Sequence, residues 1–167
     1  MLAENILLQW RAGADCVAVL DTCAGELGPQ AFDRWVVPQL RAVVEEVRRQ
    51  CPEVRILYYS KGTDAGHWRM LADIRIDGLG VDWKTPLAKV LDEFGAHWAI
   101  QGNLDPHALL LPRSGFPAQR GAFLCTDRGP AAGEAPRLDL RAGTWRASRN
   151  PENHVRLFMD LQHELFT

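Results

Sequence analysis

Short apolar runs that alternate with amphipathic helical stretches are the feature that most limits what this chain can fold into. Such alternation is the sequence form of repeated βα units, which pair their strands in parallel and cover them with helices. The first strand is expected over residues 15–21, Asp-Cys-Val-Ala-Val-Leu-Asp. Gly28-Pro29 then opens a helix in which Phe32, Trp35, Val36, Leu40, Val43, Val44 and Val47 keep the 3.6-residue period. Pro38 lies inside that pattern and removes a backbone donor, so a kink or a later helix start is expected there.

Further strands are expected at Val54 to Tyr59, Leu79 to Trp83 and Trp98 to Gln101, with a short helix over residues 64–73. Thr85-Pro86 reads as an N-cap with proline at the first helical position, and Leu87, Val90, Leu91 and Phe94 as the buried stripe that Gly95 ends. Residues 112–136 lose this periodicity and read as an irregular or disordered insert. Arg137 to Leu140 is a weak fifth strand, and Asn150-Pro151-Glu152 caps a last helix that buries Val155, Phe158, Leu161 and Leu165. The 167 residues form a single α/β domain, and 47% hydrophobic content is enough for a sizeable core.

Charge excludes several partner classes. With 19 basic against 21 acidic residues the net charge is −2, so the surface as a whole is no counter-ion for nucleic acid or an anionic membrane. No apolar run is long enough to span a bilayer, and a cytoplasmic location is expected. The four cysteines, Cys16, Cys23, Cys51 and Cys125, form no C-x-x-C pair and suggest neither a zinc knuckle nor a disulfide framework. His163-Glu164 lacks the second histidine of the H-E-x-x-H zinc motif, and the other histidines are scattered. These residues indicate no metal site.

In a parallel barrel the reactive side chains sit at the C-terminal ends of strands and on the loops that follow. That rule selects Asp21 and Thr22, Lys61, Asp82, Asn103 and Asp105, and the stretch near Ala142 and Gly143. Plainer roles compete with each: Asp21 and Asp82 as caps of the next helix, Lys61 as a solvated rim charge.

These strand ends resemble a known family. Residues 12–25, Ala-Gly-Ala-Asp-Cys-Val-Ala-Val-Leu-Asp-Thr-Cys-Ala-Gly, are similar to the uroporphyrinogen decarboxylase segment A-G-A-x-x-V-x-x-F-D-S-x-A-G. Phe32 to Leu40 resembles F-x-x-x-V-x-P-x-L, Tyr59-Ser60-Lys61-Gly62 resembles F-x-K-G, and Leu79-Gly80-Val81-Asp82-Trp83 resembles G-L-D-W. Gln101 to Pro106 reproduces Q-G-N-L-D-P, and Pro151-Glu152-Asn153 resembles the family's P-E-N. The likeness is good over residues 12–112 and faint beyond.

What the resemblance implies is a partial (β/α)₈ TIM barrel of about five βα units with a parallel sheet. The family consists of cofactor-free lyases that remove carbon dioxide from the acetate arms of uroporphyrinogen III, giving coproporphyrinogen III for haem synthesis. The implied substrate-binding residues are Thr22, at the position of the family's serine, Leu20, at that of its phenylalanine, and Asp21 and Lys61 beside them. The family's G-H-G histidine would fall on Ala142, which cannot make that hydrogen bond. Its essential aspartate, paired arginines and a tyrosine belong to segments preceding F-D-S, where this sequence has only Met1 to Arg11. No catalytic residue is therefore assigned within the chain, and the chain alone is expected to be incomplete for catalysis.

A full barrel needs about 200 residues or more, so a truncated gene, a split-gene product and a fragmentary gene model are the expected explanations. Two alternatives stand beside the enzyme. One is a non-catalytic half-barrel that forms a homodimer or pairs with a separate N-terminal half. The other is a relative of the zinc-dependent methyltransferases, which the absence of any His-x-Cys pair disfavours.

Overall fold

The computed structural model describes residues 1–107. Its elements run α1 (Leu2–Arg11), β1 (Val17–Leu20), α2 (Pro29–Trp35), α3 (Val37–Gln50), β2 (Ile56–Tyr59), α4 (Ala65–Arg69), β3 (Gly78–Gly80), α5 (Leu87–Phe94) and β4 (Ala99–Gln101). All four strands pair in parallel in the order β1-β2-β3-β4, so each lies beside its neighbour in the chain. Sequential parallel strands joined by right-handed crossovers carry their helices on one face. This is the expected α/β arrangement of a partial barrel. The fifth strand, the 112–136 insert and the last helix fall outside the described residues.

Register decides which residues share a face. Val19, Tyr58, Leu79 and Ile100 form one row across the sheet, and Val17 pairs with Ile56. These side chains are mostly buried together with Phe32, Leu40, Val44, Val47, Trp68, Val90 and Phe94 of the helices. The next rows point the other way because strand side chains alternate. They are Ala18, Leu57, Gly78 and Ala99, then Leu20, Tyr59, Gly80 and Gln101.

The helices follow from local chemistry. Pro38 splits the long amphipathic stretch: it stands in the first turn of α3, where its missing N–H is harmless, and α2 ends at Trp35. From there Val37, Leu40, Val44 and Val47 bury one stripe. Asp64 caps α4 by accepting from the Gly66 and His67 amides at 2.9 and 3.3 Å, and the His67 ring accepts from the Asp64 amide in return.

Two boundary expectations fail. Thr85 is not the cap of α5; Pro86 holds that position in an extended conformation, φ −58° and ψ 123°, without a side-chain cap. The Thr85 carbonyl is instead braced by Asn103 Nδ2 at 2.6 Å. The third strand ends at Gly80 rather than Trp83, although Val81 N still donates to Gln101 O at 2.8 Å. Of the α5 stripe, Leu87, Val90 and Phe94 are buried and Leu91 is half-buried. α1 is a helix that no sequence signal announced, docked through Ile6 and Leu7.

Among the described residues no helix is long and apolar enough to cross a membrane.

Candidate functional site

The parallel register brings the C-terminal ends of all four strands to one edge. Leu20, Tyr59, Gly80 and Gln101 are paired neighbours, so the residues that follow them line one rim. Asp21-Thr22, Lys61, Asp82 and Asn103 all start from it, as the strand-end rule requires. Arg55 lies at the opposite edge, where its carbonyl accepts from Val17 N at 2.9 Å.

Leu20 is 68% exposed, unusual for a large apolar strand residue, and presents an open hydrophobic wall below the rim. Thr22 and Cys23 after it are exposed. Asp21 stays in the ladder, its amide donating to Tyr59 O at 2.8 Å, while its carboxylate accepts weakly from the Tyr58 hydroxyl at 3.4 Å. Burial first, and then the Asp21 charge, push the Tyr58 phenol well above the usual tyrosine range. Neither Asp21 nor Asp82 caps a helix.

The loops are tied to one another sideways. Gly25 N donates to Ser60 Oγ at 3.2 Å, joining the β1–α2 loop to the end of β2. His67 Nε2 lies 3.1 Å from the Leu27 carbonyl; a carbonyl only accepts, so this nitrogen carries the hydrogen. Thr63 donates to Ser60 O at 2.8 Å and accepts from Trp68 Nε1 at 2.9 Å, all within the buried interior.

Asp82 performs the equivalent task one strand further on. It is 5% exposed, and its two carboxylate oxygens accept from Gly62 N at 2.8 Å and Lys84 N at 2.9 Å. Gly62 sits at φ +81°, a conformation that favours glycine, and turns the chain directly after Lys61. The Lys61 ammonium lies 5.7 Å from the centroid of the Trp83 ring.

Sequence reasoning singled out Thr22, Lys61 and Asp82 but passed over Tyr59 and Trp83. Tyr59 shares a row with Leu20 and Gln101, on the face away from the helices. Its phenol is raised by burial and then by the Asp82 charge. Period-two alternation from Leu20 and the pairing of β1 with β2 carried the signal for Tyr59; Trp83 was marked only as the last residue of the stretch that resembles G-L-D-W. Asp105 is used locally, accepting from the His107 amide at 2.9 Å, the contact that does most to hold its carboxyl below the usual pKa. Ala142 and Gly143 fall outside the described residues.

Such a rim can bind carboxylates through a hydroxyl, an ammonium and aromatic or aliphatic walls. No group of three or more His, Cys, Asp or Glu among the described residues is placed to hold a metal ion.

Comparison with known proteins decides the lineage. The sequence model of the uroporphyrinogen decarboxylase family, URO-D, matches residues 1–134. The chain belongs to the uroporphyrinogen decarboxylase family. A uroporphyrinogen decarboxylase of Chloroflexus aurantiacus is 32% identical over 163 residues, covering 96% of this chain and 44% of the relative. The chloroplastic uroporphyrinogen decarboxylase 1 of Oryza sativa subsp. japonica is 30% identical over 111 residues, 66% of this chain and 27% of the relative. A Legionella pneumophila uroporphyrinogen decarboxylase is 30% identical over 122 residues, 72% and 34% respectively. The chain thus spans less than half the length of these curated decarboxylases. Membership accounts for the parallel, sequentially ordered sheet, since the family fold is a TIM barrel.

Proposed function

We propose that this chain supplies the substrate-facing half of a uroporphyrinogen decarboxylase mouth, acting on uroporphyrinogen III in haem biosynthesis in the cytoplasm, and that alone it is catalytically incomplete. The observation that carries this reading is the shared rim: an exposed Leu20, Thr22 beside it, and Lys61 one strand over, all following strand ends in register.

The chemistry asks little of the protein in covalent terms. A proton added to a pyrrole carbon makes the ring cationic. The bond from the arm carbon to its carboxylate then breaks, carbon dioxide leaves, and the electron pair neutralises the ring. A second proton on the arm carbon completes the methyl group, and the ring carbon gives up the proton it first received, restoring the neutral pyrrole. No coenzyme is required, because the pyrrole itself is the electron sink. Thr22 donates its hydroxyl to a substrate carboxylate, Lys61 offers an ammonium to another, and Leu20 forms the apolar wall. Asp21, its amide held in the ladder by the Tyr59 carbonyl, fixes where the chain leaves the strand for Thr22.

The family's aspartate facing the pyrrole N–H groups has no counterpart in residues 1–11, and one such electrostatic partner is commonly worth about 10²- to 10³-fold in rate. The purified chain is therefore expected to show no useful turnover of uroporphyrinogen. Changing Ala142→His is expected not to rescue it, whereas adding the N-terminal half of a relative in trans is expected to restore activity. Turnover by the chain alone near the rate of a full-length relative would overturn the reading.

Pairing with another half is the partner reading we favour. Among the described residues β1 has a neighbour on one side only, and an open strand edge invites pairing. Mass measured across a concentration series separates a homodimer from a chain that waits for a complementing half.

A further inference from the structure

We propose that Lys61 and Trp83 form one subsite for a carboxylate carried on an aromatic ring system, and that Asp82 is the positioning residue that holds the two together. This rests on the reading above that the mouth takes an aromatic polycarboxylate, and it adds which residues meet one acid arm and what sets them in place.

Three observations converge. Among the described residues the Lys61 ammonium makes no ion pair. Its close electrostatic partner is the face of Trp83, which leaves the ammonium without a carboxylate partner at the rim among the described residues. An ammonium over an indole keeps most of its demand for an anion, and the ring beside it offers a flat apolar surface to whatever carries that anion.

Lys61 and Trp83 stand on different loops, so their meeting needs a fixed bridge. Asp82 is that bridge. One carboxylate oxygen holds the amide of Gly62, next to Lys61; the other holds the amide of Lys84, next to Trp83. At 5% exposure the carboxylate is shielded, and both oxygens are engaged by backbone donors. Gly62 at φ +81° and Gly25 packed against its backbone fix the same loop from the other side. A carboxylate fixed in this way positions the two neighbours and need not touch the ligand.

Asparagine at position 82 would present an N–H₂ to one of the two amides it must accept from, releasing one loop while keeping the volume. The test is equilibrium binding of two probes, uroporphyrin I and benzenehexacarboxylate, to the full chain and to K61M, K61R, D82N, W83L and the doubles D82N/K61M and W83L/K61M. K61M is expected to weaken both probes about tenfold, as loss of one charged hydrogen bond does. K61R, which keeps the cation, is expected to stay within about threefold. D82N is expected to weaken binding about fivefold with Lys61 present and not at all in K61M, the pattern of a residue acting through another.

Equal losses from D82N in both backgrounds would overturn the positioning role. Should D82N fail to fold by circular dichroism, W83L carries the test: Trp83 both faces the ligand and seats Lys61, so a loss of about threefold is expected with Lys61 present and a smaller one in K61M. Equal losses from W83L with and without Lys61 would sink the subsite. Unchanged binding of both probes by K61M would also sink the subsite while leaving the substrate reading intact. Binding of benzenehexacarboxylate with the expected pattern, together with indifference to uroporphyrin I, would support the subsite and overturn the substrate reading.

Discussion

Tyr59 lies over Gly80 so closely that a Cβ at position 80 would stand 2.9 Å from both Cβ and Cδ2 of the tyrosine. The two are paired neighbours in β2 and β3 on the face away from the helices. Gly80→Ala must displace part of Tyr59 that is tied to the backbone, so a loss of about 1–3 kcal/mol is expected in urea unfolding. Gly78→Ala meets the end of the Leu57 side chain, Cδ1 at 3.1 Å, and the Ala99 carbonyl oxygen at 3.3 Å, both less close than the contacts at position 80, and is expected to cost less. A G78A variant less stable than G80A would contradict this account of the face.

Gly25 is a second place where only a bare Cα fits. A Cβ there would collide with the Lys61 carbonyl oxygen and lie 2.7 Å from Thr63 N, both backbone atoms that cannot step aside. Gly25→Ala is expected to cost about 3 kcal/mol, at the upper end of overpacking. It should also raise amide hydrogen exchange at Gly62 and Thr63, because the β1–α2 loop must lift away from them. Unchanged exchange at both amides would show that the loops are not in fact clamped.

Arg48 secures the opposite end of the sheet. Its side chain is 8% exposed and donates to the carbonyls of Pro52, Val54 and Arg75 and to Asp77, which also accepts from Ile56 N at 2.7 Å. Arg48→Met leaves those acceptors without their donor and is expected to destabilise by about 3–5 kcal/mol. Arg48→Lys should recover only part, since one ammonium cannot span the set a guanidinium reaches. Equal stability of R48K and wild type in urea would refute this.

The chain has two tyrosines, Tyr58 and Tyr59, so its tyrosinate absorbance reports this one strand. Both phenols are raised in the folded state, Tyr58 chiefly by burial and then by Asp21. A raised folded value means that the unfolded chain releases these protons first. Stability is therefore complete below the ordinary tyrosine value of about 10 and falls as pH rises above it. Tyr58→Phe is expected to flatten that alkaline fall. A tyrosinate titration of the folded chain centred at the ordinary value would contradict the assignment.

Much of this was legible in the sequence, for identifiable reasons. Strands covered by helices read as apolar runs, so Val17, Ile56, Leu79 and Ile100 marked their elements and the order of the sheet followed. The break at Pro38 was legible from its missing N–H. Boundaries were harder: β3 stops short because Asp82 draws the chain out of the ladder, and Thr85 resembled a cap only while the extended Pro86 was unseen. α1 escaped because Leu2 and Leu8 are exposed beside the buried Ile6 and Leu7, which blurs the stripe. At the rim, the strand-end rule found Thr22, Lys61 and Asp82. The ties Gly25–Ser60, Leu27–His67 and Gly62–Asp82 join residues some twenty to forty positions apart, and no local motif encodes such pairs.

Sequential strand order also bears on how the chain is born. Each strand finds its partner in the segment synthesised just before it, so β2 can dock on β1, β3 on β2 and β4 on β3 without waiting for distant residues. Every pairing closes a loop of modest length, which keeps the entropic toll of each step low. A ribosome delivers the pieces in the order that the sheet consumes them, and growth along one edge leaves the opposite edge, β1, where the proposed N-terminal half would dock.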